Sequence, residues 1–135
     1  MFIIFGFRKT KTVFSNIILH VIFCTRYRRK LFADTDLSKR VAFLISEKCS
    51  ELNIEIKKLE IFDSYVEMII ECPPDLSPNQ VVYRIKAHCN NNTLKDDFEV
   101  IKKIPNLWTR SCLISTDMLD EKTIQAYVLS QKSRC

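Results

Sequence analysis

Apolar residues run almost without a break from Ile17 to Thr25 and give way to Arg26-Tyr27-Arg28-Arg29-Lys30, the pattern of a buried strand with a basic exit. Leu37, Val41, Leu44, Ile45, Lys48 and Leu52 then recur at helical spacing behind the start signal Asp34-Thr35-Asp36. Ile54 to Phe62 and Tyr65 to Cys72 read as two strands joined by a tight turn at Asp63-Ser64. Ser77-Pro78-Asn79-Gln80 is a capping box with proline at the first helical position, opening a helix through Val82, Ile85 and Cys89 that Asn90-Asn91-Asn92 ends. A less regular segment holding Pro105 and Trp108 leads to a fourth strand, Cys112 to Thr116, and Asp120-Glu121 opens a last helix.

The order β-α-β-β-α-β-α is that of an α/β (α+β) ferredoxin-like, RRM-like fold. Its antiparallel sheet carries helices on one face, and an extra C-terminal helix is added. Such a sheet leaves its second face free for a ligand, often a nucleic acid. Alternation along Tyr65 to Glu71 sends Val66, Met68 and Ile70 to the core and Tyr65, Glu67, Ile69 and Glu71 to that open face. With 135 residues, 47% of them hydrophobic, residues 1–135 are expected to form one domain.

Charge and composition narrow the chemistry. The net charge of +5 is uneven: residues 1–40 hold nine Lys or Arg against two acids, so the remaining residues carry −2. A localised basic surface suits a polyanion. A single glycine, Gly6, nearly excludes phosphate-cradling loops and dinucleotide fingerprints. The six cysteines lie inside apolar segments without C-x-x-C spacing and read as reduced core filler. Phe2 to Phe7 is too short an apolar run for an export or membrane segment, and Arg8, Lys9 and Lys11 follow it, so a soluble, cytoplasmic protein is expected.

Tyr127 and Gln131 lie one turn apart on the last helix, placing a phenol and a carboxamide side by side. Four stretches, in order, extend the likeness. They are Leu19-His20-Val21-Ile22-Phe23-Cys24-Thr25 with Arg26 to Leu31; the hairpin through Tyr65-Val66-Glu67; Pro73 to Lys86 with its Leu-Ser-Pro start; and Leu107-Trp108-Thr109-Arg110-Ser111 running on to Tyr127 and Gln131. On these residues the chain resembles the single-tyrosine transposases of the smallest bacterial insertion sequences, members of the His-hydrophobe-His class of single-strand DNA nucleases.

The resemblance implies DNA transposition: tyrosine-mediated cleavage and transfer of single-stranded or hairpin DNA by a homodimer, with a divalent metal, Mg²⁺ or Mn²⁺, polarising the phosphate. By position Tyr127 matches the nucleophile and Gln131 a metal ligand. The two remaining ligand positions, histidines in the family, are Tyr65 and Glu67 here. A phenol is a poor ligand. Glu67 and Gln131 are left as candidate remnant ligands, with a metal weakly held or absent and catalysis weakened or lost.

The glycine-containing hinge that the family tends to place before the tyrosine helix has no counterpart in Thr116 to Asp120, which implies a stiffer connection. His20 matches a family position but, inside an apolar run, reads as a core histidine. DNA contacts are expected from Arg26, Arg28, Arg29 and Lys30, with Tyr27 as a stacking surface and Lys86 as a further contact, in a nucleoid-associated protein. A non-catalytic nucleic-acid-binding regulator derived from such a transposase is the alternative.

Overall fold

The computed structural model describes residues 2–4 and 6–131. A four-stranded antiparallel sheet is built from β4 (Ile17–Cys24), β5 (Glu55–Ile61), β6 (Tyr65–Cys72) and β7 (Leu113–Ser115), in the spatial order β5-β6-β4-β7. With α1 (Thr35–Glu51) between β4 and β5 and α2 (Pro78–His88) between β6 and β7, this is the expected ferredoxin-like order. α5 (Glu121–Ser130) follows β7.

Local signals set these boundaries. Asp34 accepts from the backbone N–H groups of Asp36 and Leu37, capping α1. α1 ends in a Schellman motif: Asn53 takes φ +59°, Ile54 N–H donates to Cys49 O at 2.8 Å and Asn53 N–H to Ser50 O at 3.2 Å. At α2 both bonds of the capping box form, Gln80 N–H to Ser77 Oγ at 3.1 Å and Ser77 N–H to Gln80 Oε1 at 2.9 Å. Ser77→Ala should therefore lower stability by about 1 kcal/mol in urea titration.

Val66, Met68 and Ile70 are fully buried, with Leu37, Val41 and Ile45 of α1 and Val82 and Ile85 of α2 in the same cluster. Cys24, Cys49, Cys72 and Cys89 are buried in the core. Burial pushes their thiols up to about 11 or 12, so they stay protonated filler at neutral pH. Cys112 is part-exposed, and Cys135 lies outside the described residues.

Three features differ from expectation. Residues before β4 form a second, three-stranded antiparallel sheet: β1 (Phe2–Ile4), β2 (Phe7–Lys9) and β3 (Phe14–Ser15). The stretch between α2 and β7 holds two single-turn helices, α3 (Asn91–Leu94) and α4 (Glu99–Lys102). The second sheet face, expected to be open, is covered at both ends. Ile124 and Val128 of α5 pack with Ile22, Cys24 and Tyr65 at one end, and Arg8 of β2 grips Glu71 at the other. An amphipathic C-terminal helix and a buried ion pair occupy the surface that alternation alone left to solvent.

Candidate nucleic-acid interface and tyrosine site

Tyr127 sits half-buried on α5 against the Ile22–Cys24–Tyr65 cluster, its Oη 2.8 Å from Ser111 Oγ. Burial pushes its phenol up to about 12, only partly offset by the Ser111 hydrogen bond. Ser111 also lines a groove of about 420 Å³ with Arg26, Tyr27, Thr109, Arg110 and Gln131. The tyrosine hydroxyl therefore borders a cleft with two guanidinium side chains and no carboxylate.

The 107–111 segment that forms one wall is tied down at several points. Arg26 N–H donates to Leu107 O at 2.8 Å and Thr109 N–H to Cys24 O at 3.0 Å. Trp108 Nε1 donates to Cys89 O at 2.6 Å, with its ring edge-on to Phe23 at 4.8 Å. Lys86 Nζ donates to Thr109 O at 2.7 Å and to Ser111 O at 3.2 Å. Burial pulls its ammonium below the ordinary lysine range. Lys86, expected as a DNA contact, also holds this wall; the spacing of α2 could not reveal a bond to carbonyls more than twenty positions away.

From the basic segment, Arg26 and Tyr27 line the same groove. Tyr27 and Arg28 adopt φ +62° and +53°, a left-handed conformation costly for non-glycine residues and concentrated at functional sites. Arg26 and Arg29 lie over the Tyr27 ring at 5.2 and 5.3 Å, so the expected stacking surface is flanked by guanidinium groups. Arg28 Nε and Arg29 Nη1 are buried without a hydrogen-bond partner among the described residues. Lys30 is exposed.

The expected ligand positions do not converge. Glu67, 5% exposed, accepts from His20 Nε2 at 2.7 Å and pairs with Lys58 Nζ at 3.3 Å. Lys58 reaches it because a register shift between Ile56 and Lys58 sets Lys58 opposite Ile69, on the Glu67 face and not toward the core. Tyr65 stacks on Phe62 with ring centroids 4.6 Å apart and accepts from Gln125 Nε2 at 3.2 Å; burial raises its phenol. Gln131 ends α5 beside the Arg26 groove, its amide donating to Ser130 Oγ. Among the described residues no cluster of three His, Cys, Asp or Glu is placed to hold a metal. A carboxylate already holding an imidazole N–H and an ammonium, with a protonated phenol beside it, is not the donor set a divalent cation takes.

His20 is the buried core histidine expected, and it does more than fill space. Its Nδ1 accepts from Leu119 N–H at 2.8 Å, so the ring hydrogen sits on Nε2 and is given to Glu67. β4, β6 and the start of α5 are thereby joined through one ring. The glycine-free connection is tethered just before the Asp120 cap. His20→Ala should cost about 2 kcal/mol and lower hydrogen-exchange protection across residues 119–130 more than across α1. Equal loss in both helices would contradict the tether.

Thr109, Arg110 and Ser111 carry part of the family likeness in the sequence but no site role there, and Lys58, the partner of Glu67, is not singled out. Ser111 and Arg110 lie next to Trp108 in a stretch with no periodicity, so only tertiary packing assigns them.

Known proteins agree with this architecture. A Deinococcus radiodurans protein described as a transposase superposes with a TM-score of 0.81 at 20% identity, covering 94% of this chain and 99% of that one. A REP-associated tyrosine transposase bound to a REP hairpin superposes with a TM-score of 0.55 at 14% identity, over 90% of this chain and 68% of that one. The transposase of insertion element IS200 from Salmonella typhimurium is 25% identical over 119 residues, 86% of this chain and 77% of that protein. The IS200-like transposase family matches residues 13–131, nearly the whole fold and all of the tyrosine site, and the chain belongs to that family.

Proposed function

We propose that this transposase acts on single-stranded or hairpin DNA, with Tyr127 as the nucleophile. The observation that carries the reading is the Tyr127 hydroxyl held at the rim of a groove lined by Arg26 and Arg110 and free of carboxylates. A phosphodiester lying there has its charge met by two guanidinium groups. Attack of Tyr127 Oη on phosphorus forms a phosphotyrosyl bond to the 5′ side as the bond to the 3′ oxygen breaks. The phenol proton leaves through Ser111 Oγ or water, and the 3′ oxygen takes up a proton. The hairpin carried by the structural neighbour supports the choice of substrate.

Catalysis is weakened in this chain, a reading supported by the engagement of Glu67 with His20 and Lys58 and by the raised Tyr127 phenol. Mg²⁺ or Mn²⁺ therefore adds little. The same engagement of Glu67 favours, as a second reading, a DNA-binding regulator that has lost cleavage. The reading includes a homodimer whose copies share parts of the site, as the family resemblance implies, to be checked by light scattering.

The test is titration of labelled DNA hairpins against salt, followed by a denaturing gel with Mg²⁺, Mn²⁺ or chelator. Salt-dependent binding with a protein-linked band supports the transposase; binding alone supports the regulator; no salt-dependent binding sinks both. Arg26→Ala or Arg110→Ala should each flatten the slope of log affinity against log salt by about 0.7–0.9 for each phosphate that is no longer neutralised.

A further inference from the structure

A second groove, of about 330 Å³, lies between α2 and the 109–112 segment, lined by Asn79, Tyr83, Lys86, Thr109, Arg110 and Cys112 among others. It shares Thr109 and Arg110 with the groove beside Tyr127, so the two meet across one pair of residues. Together their linings contain Arg26, Arg110 and Lys86 and no Asp or Glu, although the chain outside residues 1–40 is net acidic. Tyr83, at the rim, is 72% exposed, the most exposed large apolar side chain among the described residues. Asn79 stands one helical turn before it on α2, where an amide can meet the edge of a base lying on the ring.

We propose that the α2 groove binds an unpaired nucleotide of the same DNA strand that crosses the Tyr127 groove, with its base stacked on Tyr83 and its phosphate at Arg110. An acid-free track with cations at its centre and an aromatic ring at each end has the chemistry of single-strand binding. Cations follow the backbone, and a ring accepts any base face. Lys86 contributes by holding Thr109 and Ser111 in place, so the wall between the grooves is rigid before DNA arrives. The inference rests on the DNA-binding reading above and extends it to a subsite on the far side of Arg110 from the tyrosine.

The experiment measures anisotropy of labelled oligodeoxythymidylates, lengthened one nucleotide at a time at one fixed low salt concentration, with wild type, Tyr83→Ala and Tyr83→Phe. Wild type should show a step of about tenfold in affinity at the length that reaches α2. Tyr83→Ala should lose the step while binding shorter oligonucleotides as wild type does, and Tyr83→Phe should keep it. The step surviving in Tyr83→Ala, or wild type lacking it while still binding, overturns the subsite and leaves the DNA-binding reading standing. No binding at any length overturns both. A change in the mass of DNA-free Tyr83→Ala by light scattering identifies the ring as a contact between copies of the chain and overturns the subsite.

Discussion

Replacing Arg8 with alanine is expected to destabilise the protein by about 3–5 kcal/mol in equilibrium urea unfolding. Arg8, on β2, is 3% exposed and grips Glu71 with both arms of its fork: Nε to Oε2 at 2.9 Å and Nη2 to Oε1 at 2.7 Å. Its Nη2 also donates to the carbonyl of Asn53, the left-handed residue that ends α1. Truncation leaves the Glu71 carboxylate, itself 4% exposed, without its charge partner and far from water. That penalty, and not the attraction of the pair, sets the size of the effect, because two charges taken from water roughly offset their own attraction. The double variant Arg8→Met/Glu71→Leu should therefore recover most of the loss. The N-terminal sheet should also lose hydrogen-exchange protection in Arg8→Ala before the four-stranded sheet does. A loss below about 1 kcal/mol, or a double variant as unstable as the single one, would show that the pair is not the anchor of residues 2–15.

That ion pair also marks where the sequence stops informing. The helices and strands from Ile17 onward were legible because their signals are local: the Asp34 cap, the Ser77 capping box and the apolar spacing of Leu37, Val41 and Ile45 lie within a few residues of what they specify. β1, β2 and β3 have three, three and two residues, too short for alternation to register. Alternation along β6 separated Val66, Met68 and Ile70 from Tyr65, Glu67 and Glu71 correctly, but it carries no information on what packs over either face. The His20 to Leu119 bond spans 99 positions and Arg8 to Glu71 spans 63, so no periodic window contains them. The wall-holding bonds of Lys86 are hidden from the sequence for the same reason. A lysine at the polar edge of α2 looks free until the carbonyls of Thr109 and Ser111 fold back onto it.

Tyr127→Phe is expected to remove the protein-linked DNA species, a loss of at least about 1,000-fold, while leaving hairpin affinity within about twofold, since the phenylalanine ring keeps the packing against Cys24 and Tyr65. The wild-type rate should carry a second signature. Burial holds the Tyr127 phenol at about 12, so at neutral pH the attacking phenolate is a minute fraction that grows tenfold with each pH unit. Formation of the linked species should accordingly rise about tenfold per unit from pH 7 to pH 9. Ser111→Ala should slow it at every pH in that window, because the Ser111 hydrogen bond is what lowers the phenol.

The window excludes unfolding as the cause. Tyr127 and the four buried thiols all have folded values raised above their ordinary ones, 10.0 for the phenol and 9.0 for the thiols. Such groups contribute stability in full below the ordinary value and lose it as pH climbs toward about 11 or 12. The thiols begin to withdraw stability only as pH nears 9.0, and unfolding would lower the rate, whereas the phenolate fraction grows a hundredfold from pH 7 to pH 9. A rate flat across that range would mean that Tyr127 is not deprotonated in the rate-limiting step, and a linked species persisting in Tyr127→Phe would assign the attack to another side chain.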